Sequence, residues 1–187
     1  MRIIIGISGA TGVIMGYKLL QILREVPDCE THLVLTEGAL KNFMLETKVS
    51  IDDVKKLAHF CYDNKNMAAV ISSGSFKTDG MIVMHCSMKS LSGIANGYAD
   101  TLLVRAVDVC LKENRKVVIV PREMPLGKIH IKNMATVADL GCSIIPPMLT
   151  FYNSPDNLED QVMHVIGKVL MQFNIDVKQF KAWKGAM

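Results

Sequence analysis

Val117-Val118-Ile119-Val120 is a run of four β-branched residues with no polar member. Such a run suits a strand buried on both faces, which is the condition of a strand inside a parallel sheet. Shorter runs repeat the pattern at Ile3-Ile4-Ile5, Leu33-Val34-Leu35 and Met81-Ile82-Val83-Met84. Between them apolar residues recur at helical spacing. Val13, Tyr17, Leu20, Leu23 and Val26 mark a helix over 12–25. Further helices are expected over 36–46, from Ser50 onward, and over 90–97, 100–113, 129–140 and 158–173. Ser50 is placed as an N-cap and Gly141 as a C-terminal stop. A last short strand at 143–145 is closed by Pro146-Pro147. Strands that alternate with helices define an α/β class with a mainly parallel sheet.

The 187 residues favour a single domain over 1–187, with residues 175–187 as a tail that holds the only tryptophan, Trp183. A net charge of +3, without a dense Lys/Arg run, argues against a nucleic-acid partner. No apolar stretch is long enough to span a bilayer and no basic-then-apolar leader precedes the first strand, so a cytoplasmic protein without a membrane partner is expected. The five cysteines are scattered and lack CxxC spacing. They read as reduced thiols rather than as a zinc site or a disulfide framework, and no metal is expected.

Two segments read as anion sites. Gly6-Ile7-Ser8-Gly9-Ala10-Thr11-Gly12 follows a strand and precedes a helix, the context of a phosphate or flavin loop. It departs from G-x-G-x-x-G at Ser8, and a tight turn without a ligand explains it equally well. Cys86-Ser87-Met88-Lys89-Ser90 follows the strand at Met81. At the carboxyl end of such a strand, doubly wound sheets collect their ligands; the plain alternative is a serine helix cap. Ser72-Ser73-Gly74-Ser75 is a further hydroxyl cluster, or a surface loop. Arg122-Glu123 comes directly after the Val117 strand. The pair can hold an anion and move a proton, or can be a structural ion pair. Arg105 and Lys112 share one helix face, which alone is a solvated basic stripe. His85-Cys86 has no placed Asp or Asn partner and does not read as a nucleophile pair. Asp52-Asp53 is a helix-start pair rather than a magnesium motif.

Together these segments resemble the flavin prenyltransferases of the UbiX type. The likeness runs through Gly6 to Gly12, Leu45-Glu46-Thr47, Ile71 to Phe76, Cys86 to Lys89, Leu103 to Val109, Leu111-Lys112-Glu113, Arg122 to Leu126, Pro146-Pro147 and Phe151-Tyr152. Within the family the chain is similar to the small proteins encoded beside hydroxyarylic acid decarboxylases. The resemblance implies a flavodoxin-like Rossmann fold and a homododecamer with active sites between subunits. It implies reduced FMN as prenyl acceptor and dimethylallyl monophosphate as donor. The prenyl carbon joins flavin N5, then a ring closes onto C6, and the prenylated FMN passes to a UbiD-type decarboxylase. By the family pattern Gly9, Ala10, Thr11, Thr36, Ser87, Met88, Lys89 and Ser90 hold the flavin and its phosphate. Arg122 lies between flavin and donor. Arg105, Lys112, Tyr152 and Lys168 hold the donor phosphate, partly from neighbouring subunits, and Trp183 covers the site. Glu123 is the acid/base, and Glu46 assists near the flavin.

The chain departs from the family at Thr11 and Thr36, where serine is usual, and at Met15, where tyrosine is usual. Lys168 keeps the charge of an arginine without its bidentate geometry. Two other readings remain at this point: a flavin-dependent cysteine-type decarboxylase, which shares the fold, and a non-catalytic FMN-binding accessory subunit of a hydroxyarylic acid decarboxylase.

Overall fold

Six strands build one sheet in this computed structural model, which describes residues 1–183 and 185. They are β1 (Arg2–Ile7), β2 (Glu30–Leu35), β3 (Phe60–Asp63), β4 (Gly80–Cys86), β5 (Lys116–Pro121) and β6 (Ser143–Ile144). The order across the sheet is β3-β2-β1-β4-β5-β6, and each adjacent pair is parallel. The helices are α1 (Ile14–Arg24), α2 (Glu37–Glu46), α3 (Ile51–Leu57), α4 (Met88–Ala95), α5 (Leu102–Lys112), α6 (Lys128–Asp139) and α7 (Leu158–Met171).

The apolar runs form strands because both of their faces are covered. Ile3, Ile5, Ile7, Leu33, Leu35, Ile82, Met84, Val118 and Val120 pack on one side against α1, α2, α3 and α7. Ile4, Val34, Met81, Val83, Val117 and Ile119 pack on the other against α4, α5 and α6. Each such side chain contributes roughly 1.5–3 kcal/mol by leaving water. The period-two split within each run is the pleat of the strand.

The sequence expectations hold closely for the central strands and for α2, α3 and α5. Thr36 and Ser50 cap α2 and α3 by accepting from Ala39 N–H and Asp53 N–H. Helix α4 begins at Met88, two residues before the expected start, because Ser87 and not Ser90 is the cap. Strand β3 has no counterpart among the sequence expectations. Its Phe60-Cys61-Tyr62-Asp63 sequence sits on the sheet edge with mostly exposed side chains, so pairing with β2 rather than burial forms it. All five cysteines are free. No described helix is long and apolar enough to cross a membrane.

Chain direction sets where function can lie. The connection from β1 leads to β2 on one side of the sheet, and that from β4 leads to β5 on the other. The loops after β1 and β4 therefore diverge and leave a crevice at the carboxyl edge, the usual ligand position in such sheets.

Candidate functional site

Four strands deliver predicted residues to this one edge. Gly9, Ala10 and Thr11 follow β1, Thr36 follows β2, Ser87 to Ser90 follow β4, and Arg122 and Glu123 follow β5. Buried Ser8 ties the two central loops together. Its Oγ donates to the His85 carbonyl at 2.9 Å and accepts from the Ser87 N–H at 2.7 Å. The Ser8 N–H also donates to the His85 carbonyl, at 3.0 Å. A glycine at position 8 would keep the backbone bond to the His85 carbonyl but leave the Ser87 N–H without its acceptor, which explains the departure from G-x-G-x-x-G. The β1 and β2 loops meet where a Cβ on Gly9 would lie 2.9 Å from the Gly38 Cα, so neither residue can carry a side chain without moving the other loop.

The helix starts that follow β1, β2 and β4 at this edge are electrostatically unequal. At α1, Gly12 N–H donates to the Glu46 carboxylate at 2.8 Å, so an anion from the end of α2 already sits there. At α2, Glu37 occupies the first turn. At α4 the first turn carries no acidic residue; Ser87 caps it and Lys89 extends from it. The α4 start is thus the best-prepared for a phosphate, with free N–H groups, the positive helix end and hydroxyls. The Ser87 hydroxyl donates to the Ser90 Oγ at 3.2 Å, so the two serines form one short hydroxyl array.

His85 lies beneath this crevice. The β4–β5 register skips it, between Met84↔Val120 and Cys86↔Pro121, and bulges of this kind re-aim side chains beside active sites. Its ring is 1% exposed, and its Nδ1 has no partner among the described residues. Burial, with Arg122 nearby, lowers its pKa to about 4, against a smaller opposing pull from Glu46. The imidazole is therefore neutral near pH 7. Unfolded histidine binds a proton from about pH 6.5 downward while buried His85 resists until about pH 4. His85 hence supports stability above pH 6.5, and that support is lost as pH falls toward 4. The loss is on the order of 3 kcal/mol. Denaturant melts of the parent and of His85→Asn between pH 7 and 4 should diverge in slope over that window, the variant being flatter. Cys86, next in line, is fully buried, and burial pushes its thiol well above the usual range. It is no nucleophile, as the sequence indicates.

Arg122 is fixed by its backbone N–H, which donates to the Cys86 carbonyl at 3.2 Å. Glu123 is exposed, and the Met124 N–H donates to its Oε1 at 3.1 Å. Neither side chain forms an ion pair among the described residues, so the structural-pair alternative fails.

The remaining predicted residues stand in two other places. Tyr152, on the segment leaving β6, meets α7 and the tail. Its hydroxyl is 3.2 Å from His164 Nε2, and its ring lies edge-on to Trp183 at 5.7 Å. Lys168, one turn after His164, has its Nζ 5.8 Å above the Phe180 ring. Arg105 and Lys112 lie on α5. Arg105 pairs with Asp108 at 2.5 Å and donates to the Ser72 carbonyl at 3.2 Å; Lys112 pairs with Glu113 at 2.7 Å. Lys112 ends α5, just before β5 begins, and so stands at the amino edge of the sheet. The Ser72 to Ser75 cluster precedes β4 at that same edge, where Arg115 binds the Gly74 and Phe76 carbonyls. It does not join the Ser87 site within the chain. A concavity of about 610 Å³ between Arg24 to Glu30 and His59 also opens at the amino edge and gathers none of the predicted residues. Among the described residues no group of three or more His, Cys, Asp or Glu could hold a metal ion.

Gly38 and His164 are not singled out by the sequence, and Ser8 and His85, which are named there, are not given the places they take here. Ser8 carries a signal in its place within the glycine loop, and His164 one in its i,i+4 spacing to Lys168; the others depend on loops that only the fold brings together.

A doubly wound parallel sheet with hydroxyl-capped helix starts around its switch point defines a phosphate-bearing-ligand domain of the flavin or nucleotide type. The Flavoprotein family model matches residues 1–171. A protein of Sedimentibacter hydroxybenzoicus described as a "probable UbiX-like flavin prenyltransferase" is 66% identical over 99% of this chain and 98% of its own length. The dodecameric FMN-dependent UbiX-like decarboxylase of Escherichia coli O157:H7 is 51% identical with a TM-score of 0.97, over 99% of this chain and all of that one. AnUbiX (PadA1), solved with FMN and dimethylallyl pyrophosphate, is 41% identical with a TM-score of 0.96, over all of this chain and 98% of that one. The chain belongs to the UbiX-type flavin prenyltransferases. The peptidyl-cysteine decarboxylase EpiD, 19% identical with a TM-score of 0.63, shares the fold alone.

Proposed function

We infer that this chain is a flavin prenyltransferase that moves a dimethylallyl group from dimethylallyl monophosphate to reduced FMN. The observation that carries the reading is the carboxyl-edge crevice, where an acid-free, serine-capped helix start shares the sheet edge with Arg122 and Glu123 in a chain 66% identical to a UbiX-like relative. The crevice fits a flavin phosphate. It offers N–H groups at the α4 start and, at His85 Nδ1, a buried polar atom without a partner among the described residues, while Gly9 and Gly12 let the loop seat closely on Gly38 and on the His85 ring. Reduced flavin supplies the nucleophile, through N5 and then C6.

In this reading Ser87, Met88, Lys89 and Ser90 hold the FMN phosphate with Thr36, and Gly9, Ala10 and Thr11 pack on the flavin. Arg122 lies between flavin and donor and draws off the developing phosphate anion. Such preorganised charge acts where charge develops. Glu123 moves the proton. Glu46, tethered to Gly12 N–H, keeps a carboxylate beside the flavin. Thr36 in place of serine retains its capping hydroxyl, and Met15 in place of tyrosine is core packing, 7% exposed.

The donor-phosphate set cannot close within one chain. Glu123 follows β5 and Lys112 precedes it, and the six residues of β5 span roughly 17 Å. Charges that far apart reach one phosphate only when they come from different copies. The dodecameric relative supports that arrangement, and we extend the dodecamer with shared sites to this chain. Arg105, Lys112, Tyr152 and Lys168 then converge on the donor, and Trp183 covers it. We read 1–187 as one cytoplasmic domain that passes prenylated FMN to a UbiD-type decarboxylase.

Purified protein incubated anaerobically with reduced FMN and dimethylallyl monophosphate should yield flavin heavier by one prenyl unit, with a changed absorbance. Unmodified flavin would favour the accessory-subunit reading. Lys112→Ala should raise the donor KM about tenfold, since charge-assisted contacts are worth roughly 1.5–3 kcal/mol, and leave the FMN Kd unchanged. Equal losses for both ligands would contradict the division between the two phosphate sites.

A further inference from the structure

We propose that His164 is a positioning residue that turns the Tyr152 hydroxyl outward, so that its hydrogen is presented to the donor phosphate. The proposal rests on the reading of Tyr152 and Lys168 as phosphate contacts.

His164 is 4% exposed on α7. One face of its ring stacks on Phe180, with centroids 5.2 Å apart and planes at 30°. Tyr152 stands edge-on to it at 5.5 Å and 79°. Only one polar contact forms among the described residues, between His164 Nε2 and Tyr152 Oη at 3.2 Å. Nδ1 is buried with no partner among the described residues. Burial holds the ring's proton affinity down, and Lys168 pushes the same way, so the imidazole is neutral near pH 7. A neutral imidazole carries one N–H, on one nitrogen or the other.

The missing Nδ1 partner selects between the two forms. With the hydrogen on Nδ1, a buried donor is orphaned, and Nε2 must accept the phenolic hydrogen and turn it inward. With the hydrogen on Nε2, that N–H donates to Tyr152 Oη and only a lone pair on Nδ1 stays unpaired. Buried donors without partners are rarer than under-used acceptors. The second form therefore prevails, and it frees the phenolic hydrogen. Tyr152 is 45% exposed, which leaves that hydrogen room to turn outward. Lys168 stands one turn further along α7. The cluster then presents donors and no competing acceptor hydrogen-bonded inward, which suits an anionic ester oxygen.

His164→Phe keeps the stack on Phe180 and removes the N–H. His164→Gln places an amide N–H where Nε2 stands. With reduced FMN saturating, His164→Phe should raise the KM for dimethylallyl monophosphate about tenfold, the order of one charged hydrogen bond, with kcat and FMN Kd near the parent values. His164→Gln should recover most of that loss. In a Tyr152→Phe background, His164→Phe should add nothing further. Nitrogen-15 spectra of histidine-labelled, ligand-free protein, assigned by the His164→Gln difference, should show a protonated Nε2 and a bare Nδ1. An unchanged KM in His164→Phe or in Tyr152→Phe, an equal loss in the Tyr152→Phe background, or a protonated Nδ1 would overturn the proposal. A parent protein that transfers no prenyl group would overturn the functional reading instead, and the nitrogen spectrum would still decide the tautomer.

Discussion

Glu123→Gln should bind FMN as the parent does and lose about 10²–10³-fold in prenyl transfer, within the range for removing a positioned general acid or base. The substitution keeps the size of the side chain and its acceptor oxygen for the Met124 N–H, while it abolishes proton movement. Flavin affinity is spared because the groups assigned to FMN come from the loops after β1, β2 and β4, and Glu123 follows β5. Nor does stability depend on this carboxylate, which is exposed and, among the described residues, without an ion pair. Single-turnover absorbance with prebound reduced FMN separates the two effects. Turnover at the parent rate would remove Glu123 from the chemistry, whereas joint loss of binding and turnover would make it a structural residue of the crevice.

The parts legible in the sequence are those whose cause is local. Val117 to Val120 announces a strand buried on both faces, and Thr36 and Ser50 announce helix starts by chemistry within three residues. The family likeness carries the site residues onto numbered positions, and four strand ends bring nine of them and Glu123 to one edge. What escapes is non-local. Strand β3 exists by pairing with Leu33 and Val34, and its own exposed residues give no alternation. Ser8 acts by joining two loops that are 77 residues apart in sequence. His164 matters through Tyr152, across a turn that no periodicity reveals. Lys112 illustrates a further limit: its helix is legible, but its position at the far edge from Glu123 makes sense only with more than one copy of the chain.

Gly12→Ala is the second substitution with a large expected effect, and two independent costs combine in it. Gly12 has φ +93°, a left-handed backbone that costs an alanine roughly 1–2 kcal/mol. An added Cβ would also lie 2.7 Å from His85 Nε2. That ring is buried and cannot retreat cheaply, so overpacking adds roughly 1–3 kcal/mol. A total near 3 kcal/mol corresponds to a fall in Tm of about 6–12 °C for a chain of this size. Flavin binding should weaken by at least about tenfold, because the loop that shifts also carries the Gly12 N–H bond to Glu46 and the surface assigned to the flavin. Combining Gly12→Ala with His85→Ala separates the costs. Removing the ring abolishes the clash but not the backbone strain, so the double variant should be less destabilised than the sum of the single ones, by about the clash energy. Additive losses would mean that His85 does not support the loop. A Gly12→Ala protein that melts within about 2 °C of the parent would mean that the loop relaxes freely, and the close seat of glycine on imidazole would then have no part in shaping the crevice.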